Sequence, residues 1–363
     1  MTPQLDRDHG GDVGRWASSA GIPASDLVDF SASINPLGPP AKARAAFTRS
    51  YGDIARYPPP YADRLKIALA RRHGMHPAEV LVGNGSTQLI YLLCAALRPR
   101  LALIVGPAFS EYANALSLAG ARVRYLAFAA DENFQFSPVR FMAAWEQDCD
   151  IAFLANPNSV TGQLVPKTTV EKIAQAALIS RRLTVIDEAF IDFIESESVT
   201  ALVRENPYLL VLRSLTKYYA LPGLRLGYLL GQARRIAQLV KHQEPWSVNT
   251  AAANVALACL GDRQFALKTE QWLMKERAFL SKQLMELRGF QPVPSCANFL
   301  LVKIAGGGDA LTLRSFLLSR RILIRPCDSF RGLGRDYFRV AIRRRADNLR
   351  LVGALRDWRA AAS

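Results

Sequence analysis

Lys217 carries the most chemical weight in the chain. It lies in Arg213-Ser-Leu-Thr-Lys-Tyr-Tyr-Ala-Leu-Pro-Gly-Leu-Arg-Leu-Gly227, directly after the apolar run Leu209–Leu212, which reads as a buried strand. A lysine at the end of a buried strand is costly unless it is paired or chemically used. The same short turn gathers Ser214, Thr216 and Arg225, whose donors and positive charge suit a phosphate. An amine nucleophile beside a phosphate site points to pyridoxal 5'-phosphate held as a Schiff base. The competing reading is a basic surface turn.

Other reactive residue types fall at comparable places. Asp187-Glu188 closes the apolar strand Leu183–Ile186. A carboxylate there can pair with a pyridinium nitrogen and keep the ring electron-withdrawing, or it can serve as a helix cap or salt bridge. Gly83-Asn-Gly-Ser-Thr87 follows a short strand, Val80–Val82, and precedes an apolar helix, Gln88–Leu97. Glycine lets backbone N–H groups approach an anion at a helix N-terminus, although Ser86 or Thr87 could simply cap the turn. Phe109 and the loop Asn156-Pro-Asn158 also follow strand patterns.

These positions require a scaffold that brings strand ends together. Apolar strands are expected at Val80–Val82, Leu101–Val105, Val123–Phe128, Ile151–Ala155, Leu183–Ile186, Leu209–Leu212 and Gly227–Leu230, with helical patterns between several of them. Such alternation predicts an α/β fold with a mostly parallel, seven-stranded sheet covered on both faces. Ligands in such folds sit outside the carboxyl ends of the strands, where the reactive residues fall. Three segments are expected: an N-terminal arm, 1–36, joining the small domain; a large domain, 37–245; and a smaller α+β C-terminal domain, 246–363. His73 and His76 read as solvated surface, as does His242, and Trp16 and Trp246 as packing residues. Arg343, Arg344 and Arg345 read as solvated, with Arg343 the exception if there is one.

The bulk numbers exclude several classes. The chain has 363 residues, 50% hydrophobic and 21% charged, enough for a large core. Its formal net charge is +15, but Lys and Arg are dispersed and no nucleic-acid motif or basic tail is present. No stretch is apolar enough for a membrane span. Met1–Asp12 is polar and shows no signal-peptide pattern. The five cysteines lack metal-ligand spacing and read as free thiols in a reducing cytoplasm, so no metal is expected.

The ordered set of strand-end residues resembles the fold-type I pyridoxal-phosphate enzymes related to aspartate aminotransferase, over essentially the full length. More narrowly it resembles their threonine-phosphate decarboxylase branch, which is close to the histidinol-phosphate aminotransferases. The residues that carry this are His9-Gly-Gly-Asp12, Asp29-Phe-Ser-Ala-Ser-Ile-Asn-Pro-Leu-Gly38, Arg56-Tyr-Pro58 and Gly83-Asn-Gly85. They continue with Asp187-Glu-Ala-Phe-Ile-Asp-Phe193, Leu212-Arg-Ser-Leu-Thr-Lys217, Pro245-Trp-Ser-Val-Asn249, Ile322-Leu-Ile-Arg325 and Phe338-Arg-Val-Ala-Ile-Arg343.

The resemblance implies a role for each. Lys217 would form the Schiff base with the cofactor, and Asp187 would pair with its pyridine nitrogen. Ser214, Thr216, Arg225 and the backbone at Gly85–Ser86 would hold the cofactor phosphate, with Tyr57 reaching in from the partner of a homodimer with shared active sites. Phe109 would stack on the ring, with Tyr112 as a rival. Arg339 would bind the substrate carboxylate, and Arg325, Asn35 and His9 the substrate phosphate. Asn158 would bond the cofactor's phenolic oxygen, although Ser159 holds the second Asn position of the usual Pro-Asn-Asn-Pro-Thr-Gly. Phe190 replaces a tyrosine typical of the aminotransferases, which removes a hydrogen bond to that oxygen and should raise the pKa of the Schiff base. The implied reaction is decarboxylation of L-threonine O-3-phosphate to (R)-1-amino-2-propanol O-2-phosphate, a step of cobalamin biosynthesis. The alternative is a histidinol-phosphate-type aminotransferase.

Overall fold

The computed structural model describes residues 9–128, 130–146, 148–306 and 308–362. Seven strands form the central sheet: β1 (Val80–Asn84), β2 (Leu101–Gly106), β3 (Arg122–Ala127), β4 (Ile151–Ala155), β5 (Leu183–Asp187), β6 (Leu209–Ser214) and β7 (Leu226–Leu230). Their spatial order is β1-β7-β6-β5-β4-β2-β3. Only β7 runs antiparallel to its neighbours, β1 and β6. All seven expected strands are present, most extended by one or two residues. Strands β4, β5, β6 and β7 are buried along their whole length.

The burial has a simple cause. Leu103, Val105, Leu154, Ile186 and Val211 pack into one layer, while Ala102, Ile104, Phe153, Val185, Leu210 and Leu212 pack into the opposite one. Successive residues of a strand point to opposite faces, so only an apolar run can be covered on both sides. Helices supply the cover, among them Gly85–Leu97, Ser110–Leu118 and Lys167–Ser180.

A second sheet has four antiparallel strands in the order Arg325–Pro326, Tyr337–Ala341, Phe299–Ile304, Phe290–Pro292. It packs on the helices Arg263–Glu286, Ala310–Ser319 and Arg345–Ala362 around its own core. The N-terminal segment joins that unit. Val28–Asp29 pairs in parallel with Ile322–Leu323, and Phe30 lies in the small-unit core with no exposed surface.

One sequence expectation needs correction here, and one helix was not foreseen. His73 is not solvated: Nε2 lies 2.9 Å from the Tyr228 hydroxyl, and burial depresses its pKa to about 3, assisted by Arg213 and Arg72. Of the arginines 343–345, Arg344 and Arg345 are exposed as expected and Arg343 is the half-buried exception, and each also reaches another segment. Arg343 donates to the Asp29 carbonyl, Arg344 to the Pro36 carbonyl, and Arg345 pairs with Glu276. The helix Ala41–Ser50 has no counterpart in the sequence reading, because its buried face is mostly alanine and gives little periodic contrast.

Candidate active site

A cavity of about 590 Å³ opens at the carboxyl ends of β5 and β6, where the two units meet. Asp187, Ser214, Thr216, Lys217, Arg225, Ser86, Phe109, Arg325, Arg339 and His9 all line it. Residues spread over more than 300 positions are thus brought to one place.

One end is built to hold a phosphate. The helix Gly85–Leu97 begins here, and its N-cap, Asn84, gives no side-chain hydrogen bond to the first turn. Its N–H groups and the positive end of its dipole therefore remain for an anion. Gly85 has φ +81°, and a β-carbon on it would lie 2.7 Å from Arg225 Nη2. A β-carbon on Gly227 would lie 2.4 Å from the Ser86 nitrogen. Both glycines are thus needed for the turn and the arginine to converge. Ser214 Oγ and Thr216 Oγ1 lie 2.8 Å apart on the same side.

The floor carries opposed charges. Asp187 is 5% exposed, and burial raises its carboxyl pKa to about 6 despite a hydrogen bond from Tyr112 and the nearby Lys217. Tyr112 donates its hydroxyl to Asp187 Oδ2 at 2.5 Å, and the Ala189 N–H donates to Oδ1 at 2.9 Å. Burial likewise lowers the Lys217 amine to about 8, with Arg339 and Arg225 adding to the effect. Beneath them Arg213 of β6 forms an ion cluster with carboxylates from the segment that follows β5. Arg213, wholly buried, bonds Glu188 at 3.0 Å, Asp192 at 3.1 Å and Glu195 at 2.6 Å. This cluster ties the ends of β5 and β6 together from the face opposite the cavity.

The far end is basic. Arg325 and Arg339 are direct partners on adjacent antiparallel strands. Like charges in that relation repel, and an anion between them removes the penalty. Arg325 donates to Ser329 Oγ at 2.9 Å, and Arg339 to the Ser159 carbonyl at 2.5 Å. Burial lowers Arg339 to about 10, and Arg325 adds to that. Among the described residues, three buried polar atoms on the cavity lining lack a hydrogen-bond partner: Arg339 Nε, Ser159 Oγ and Ser33 Oγ. Buried polar groups left open in this way are places for a ligand.

The residues fit pyridoxal phosphate. A phosphate cradle, a buried carboxylate that gains from a cationic partner, an aromatic face and a lysine of lowered basicity surround one cavity. Phe109 lines it. Tyr112 does not, because it is fully buried with its ring stacked on Phe153, 5.1 Å between centroids, and it supports Asp187 instead.

Two expectations are corrected. Asn35 does not reach the cavity. Its amide nitrogen donates to the Tyr218 carbonyl and Thr269 Oγ1, and its oxygen accepts from the Leu37 N–H. Ser33, two residues earlier, faces the site. Asn158 is also consumed by backbone: it donates to the Pro107 carbonyl and accepts from the N–H groups of Val160 and Thr161. It lines a separate cavity of about 470 Å³, and Ser159 takes the place beside Phe190. Tyr57 is 84% exposed and stacks on Trp246, away from this chain's own cavity. Sequence reasoning also missed Glu111 and Tyr91, which have no motif around them.

The Tyr112–Asp187 bond gives a first test. Tyr112→Phe removes one donor from a buried carboxylate, which should cost about 1.5–3 kcal/mol at pH 8, where Asp187 is charged. Thermal unfolding of the cofactor-free protein measures this, and an unchanged midpoint would show that the bond is not formed.

Comparison with known proteins agrees with this geometry. Residues 25–355 match the family model for aminotransferase class I and II. The chain is 39% identical to a threonine-phosphate decarboxylase of Salmonella typhimurium, over 96% of both chains. It is 35% identical to a histidinol-phosphate aminotransferase of Roseiflexus castenholzii, over 94% of this chain and 92% of that one. Among solved structures, it superposes on L-threonine-O-3-phosphate decarboxylase from Porphyromonas gingivalis with a TM-score of 0.81, at 26% identity, covering 91% of this chain and 98% of that one. On histidinol-phosphate aminotransferase from Clostridium acetobutylicum the TM-score is 0.86, at 27% identity, with the same coverage.

Proposed function

Because the chain belongs to the class I and II aminotransferase family, we propose that it is a pyridoxal-phosphate enzyme that decarboxylates L-threonine O-3-phosphate to (R)-1-amino-2-propanol O-2-phosphate in cobalamin biosynthesis. The carrying observation is the pair Arg325 and Arg339, directly opposed beyond the cofactor end of the cavity. Two guanidiniums there suit one small substrate with two anionic groups, a carboxylate and a phosphate.

The cofactor supplies an electron sink for the pair released when the bond to CO₂ breaks. Ser214, Thr216, Arg225 and the N-terminus of the helix Gly85–Leu97 hold its phosphate. Asp187, fixed by Tyr112 and Ala189, would pair with its ring nitrogen and favour the protonated form there. Phe109 offers a ring face, and Lys217 holds the cofactor through Nζ. Arg339 takes the substrate carboxylate, and Arg325, Ser33 and His9 take the phosphate. Firm anchoring of the substrate phosphate would orient the carboxylate for departure. Lys217 Nζ then returns a proton to the substrate carbon.

The aminotransferase reading remains as the alternative, since it uses nearly the same residues. Phe190 favours decarboxylation, because an apolar ring stands at this wall of the cavity in place of a phenol. Offering threonine O-3-phosphate and histidinol phosphate in turn, each with 2-oxoglutarate, separates the two. CO₂ release from threonine phosphate without glutamate is expected; glutamate without CO₂ would overturn the assignment.

The assembly belongs to the same proposal. Tyr57 and Trp246 stack with ring centroids 5.2 Å apart, and both are exposed, as are Tyr51 and Ile54. In a homodimer this group is covered and Tyr57 reaches the neighbouring active site. A cytoplasmic enzyme with a small phosphorylated amino acid as its partner, and neither nucleic acid nor membrane, fits this reading. Among the described residues no helix is long and apolar enough to cross a membrane, and no His, Cys, Asp and Glu group is placed to hold a metal.

A further inference from the structure

A second carboxylate lines the cavity. Glu111 is 8% exposed and sits in the first turn of the helix Ser110–Leu118. A negative charge there is unexpected, because the cavity is otherwise built for anions. Its oxygens are taken up by three side chains. Tyr91 donates its hydroxyl to Oε2 at 2.5 Å, Asn114 donates to Oε1 at 3.1 Å, and His9 Nε2 lies 2.9 Å from Oε1.

His9 comes from the N-terminal segment, and its backbone is held as well. Gly10 lies against Ser31 so closely that a β-carbon on it would be 2.3 Å from the Ser31 carbonyl oxygen. The Gly11 N–H donates to Ser31 Oγ at 2.8 Å, and Ser31 in turn donates to Asp29. The His9 ring is then set between Glu111 and the Phe109 ring, 5.6 Å from the latter.

We infer that Glu111 is a positioning residue, which fixes His9 at the mouth of the cavity so that its imidazole can grip the substrate phosphate. The inference rests on the proposed phosphorylated substrate. A carboxylate on one ring nitrogen fixes that nitrogen as the protonated one. Nδ1, which has no partner among the described residues, then faces the phosphate. It accepts from a singly protonated phosphate and donates when the ring carries the extra proton. Tyr91 and Asn114 keep the carboxylate from turning toward the substrate itself.

A double-mutant cycle on the holoenzyme tests this. Glu111→Gln and His9→Asn are each expected to raise KM for threonine O-3-phosphate by about ten- to hundredfold, with kcat falling less. The double variant should be no worse than the weaker single variant, because the two residues act as one unit. The visible absorbance of the bound cofactor should be unchanged. Multiplicative effects on KM, an unchanged KM in either single variant, or a cofactor spectrum altered in Glu111→Gln would overturn the inference. Should Glu111→Gln not fold, Tyr91→Phe replaces it in the cycle, since it releases the other oxygen. If the wild type fails to decarboxylate threonine phosphate, the assigned reaction is at fault. The same cycle read on the binding of inorganic phosphate to the holoenzyme then decides the role of Glu111, with loss of coupling counting against it.

Discussion

Lys217→Met should lack the visible absorbance of the bound cofactor and turn over at least about 10³-fold more slowly than the wild type. Methionine keeps much of the volume and removes Nζ. The loss is expected to be large because one atom has two duties, holding the cofactor and moving a proton. Persistence of the visible band in the variant would refute the cofactor assignment. The same substitution should act on stability in the opposite direction. In the cofactor-free protein the lysine amine is lowered from an ordinary 10.5 to about 8, chiefly by burial. The unfolded chain therefore binds more protons than the folded one between those values, and stability rises with pH across that window. Below about pH 8 the penalty is fully present. Lys217→Met without cofactor should thus be more stable than wild type at pH 7, by an amount of order 3 kcal/mol, and the gap should close above about pH 10.5. Denaturant titrations at pH 7 and above 10.5 measure it. A variant less stable at both would show that the lysine is comfortably solvated.

Arg339→Gln should raise KM for threonine phosphate by about 10²–10³-fold, the loss of a paired, charge-assisted contact in an enclosed site. Arg339 is poised for such a contact. Its Nη1 is committed to the Ser159 carbonyl, its Nε has no partner among the described residues, and its Cζ stands 4.9 Å from the centre of the Phe299 ring. The arginine nevertheless presents a problem for catalysis. Tight pairing with the carboxylate stabilises the substrate, and that alone does not speed the loss of CO₂. The phosphate must supply most of the grip, with Arg339 releasing the carboxylate as it departs as CO₂. Arg339→Lys discriminates. A higher decarboxylation rate constant with weaker binding supports release, and an equal loss in both would sink it.

Much of the scaffold was legible because the central strands are apolar on both faces. A run such as Leu-Thr-Val-Ile before Asp187 can only be a strand buried in a covered sheet, and the residue that follows it must emerge at an edge. Lys217, Asp187, Ser214 and Thr216 were found on that logic. The two asparagines were misplaced for a different reason. The family resemblance assigned Asn35 and Asn158 to the ligands by their place in its motifs. The loops instead spend both carboxamides on their own backbone, and the small neighbours Ser33 and Ser159 turn inward. Nothing in a sequence says which of two adjacent loop residues points into a cavity. Glu111 was invisible for a related reason: its significance comes from His9, 102 positions away.

The short parallel pair between Val28–Asp29 and Ile322–Leu323 has a consequence for how the site is partitioned. It fastens the segment bearing His9 and Ser33 to the unit bearing Arg325 and Arg339, and the clasp of Arg343 on the Asp29 carbonyl reinforces it. Every group assigned to the substrate's anions except the helix-borne Glu111 support therefore belongs to one body, while Lys217, Asp187 and the phosphate cradle belong to the other. On the proposed roles, recognition and bond-breaking are modular. A shift of one body against the other would change the fit of the whole substrate grip at once, and would also pull on the bonds from Asn35 to the Lys217 and Tyr218 carbonyls. Substrate preference can likewise drift by changes in the small unit and its fastened arm, with the chemistry of the large sheet left intact.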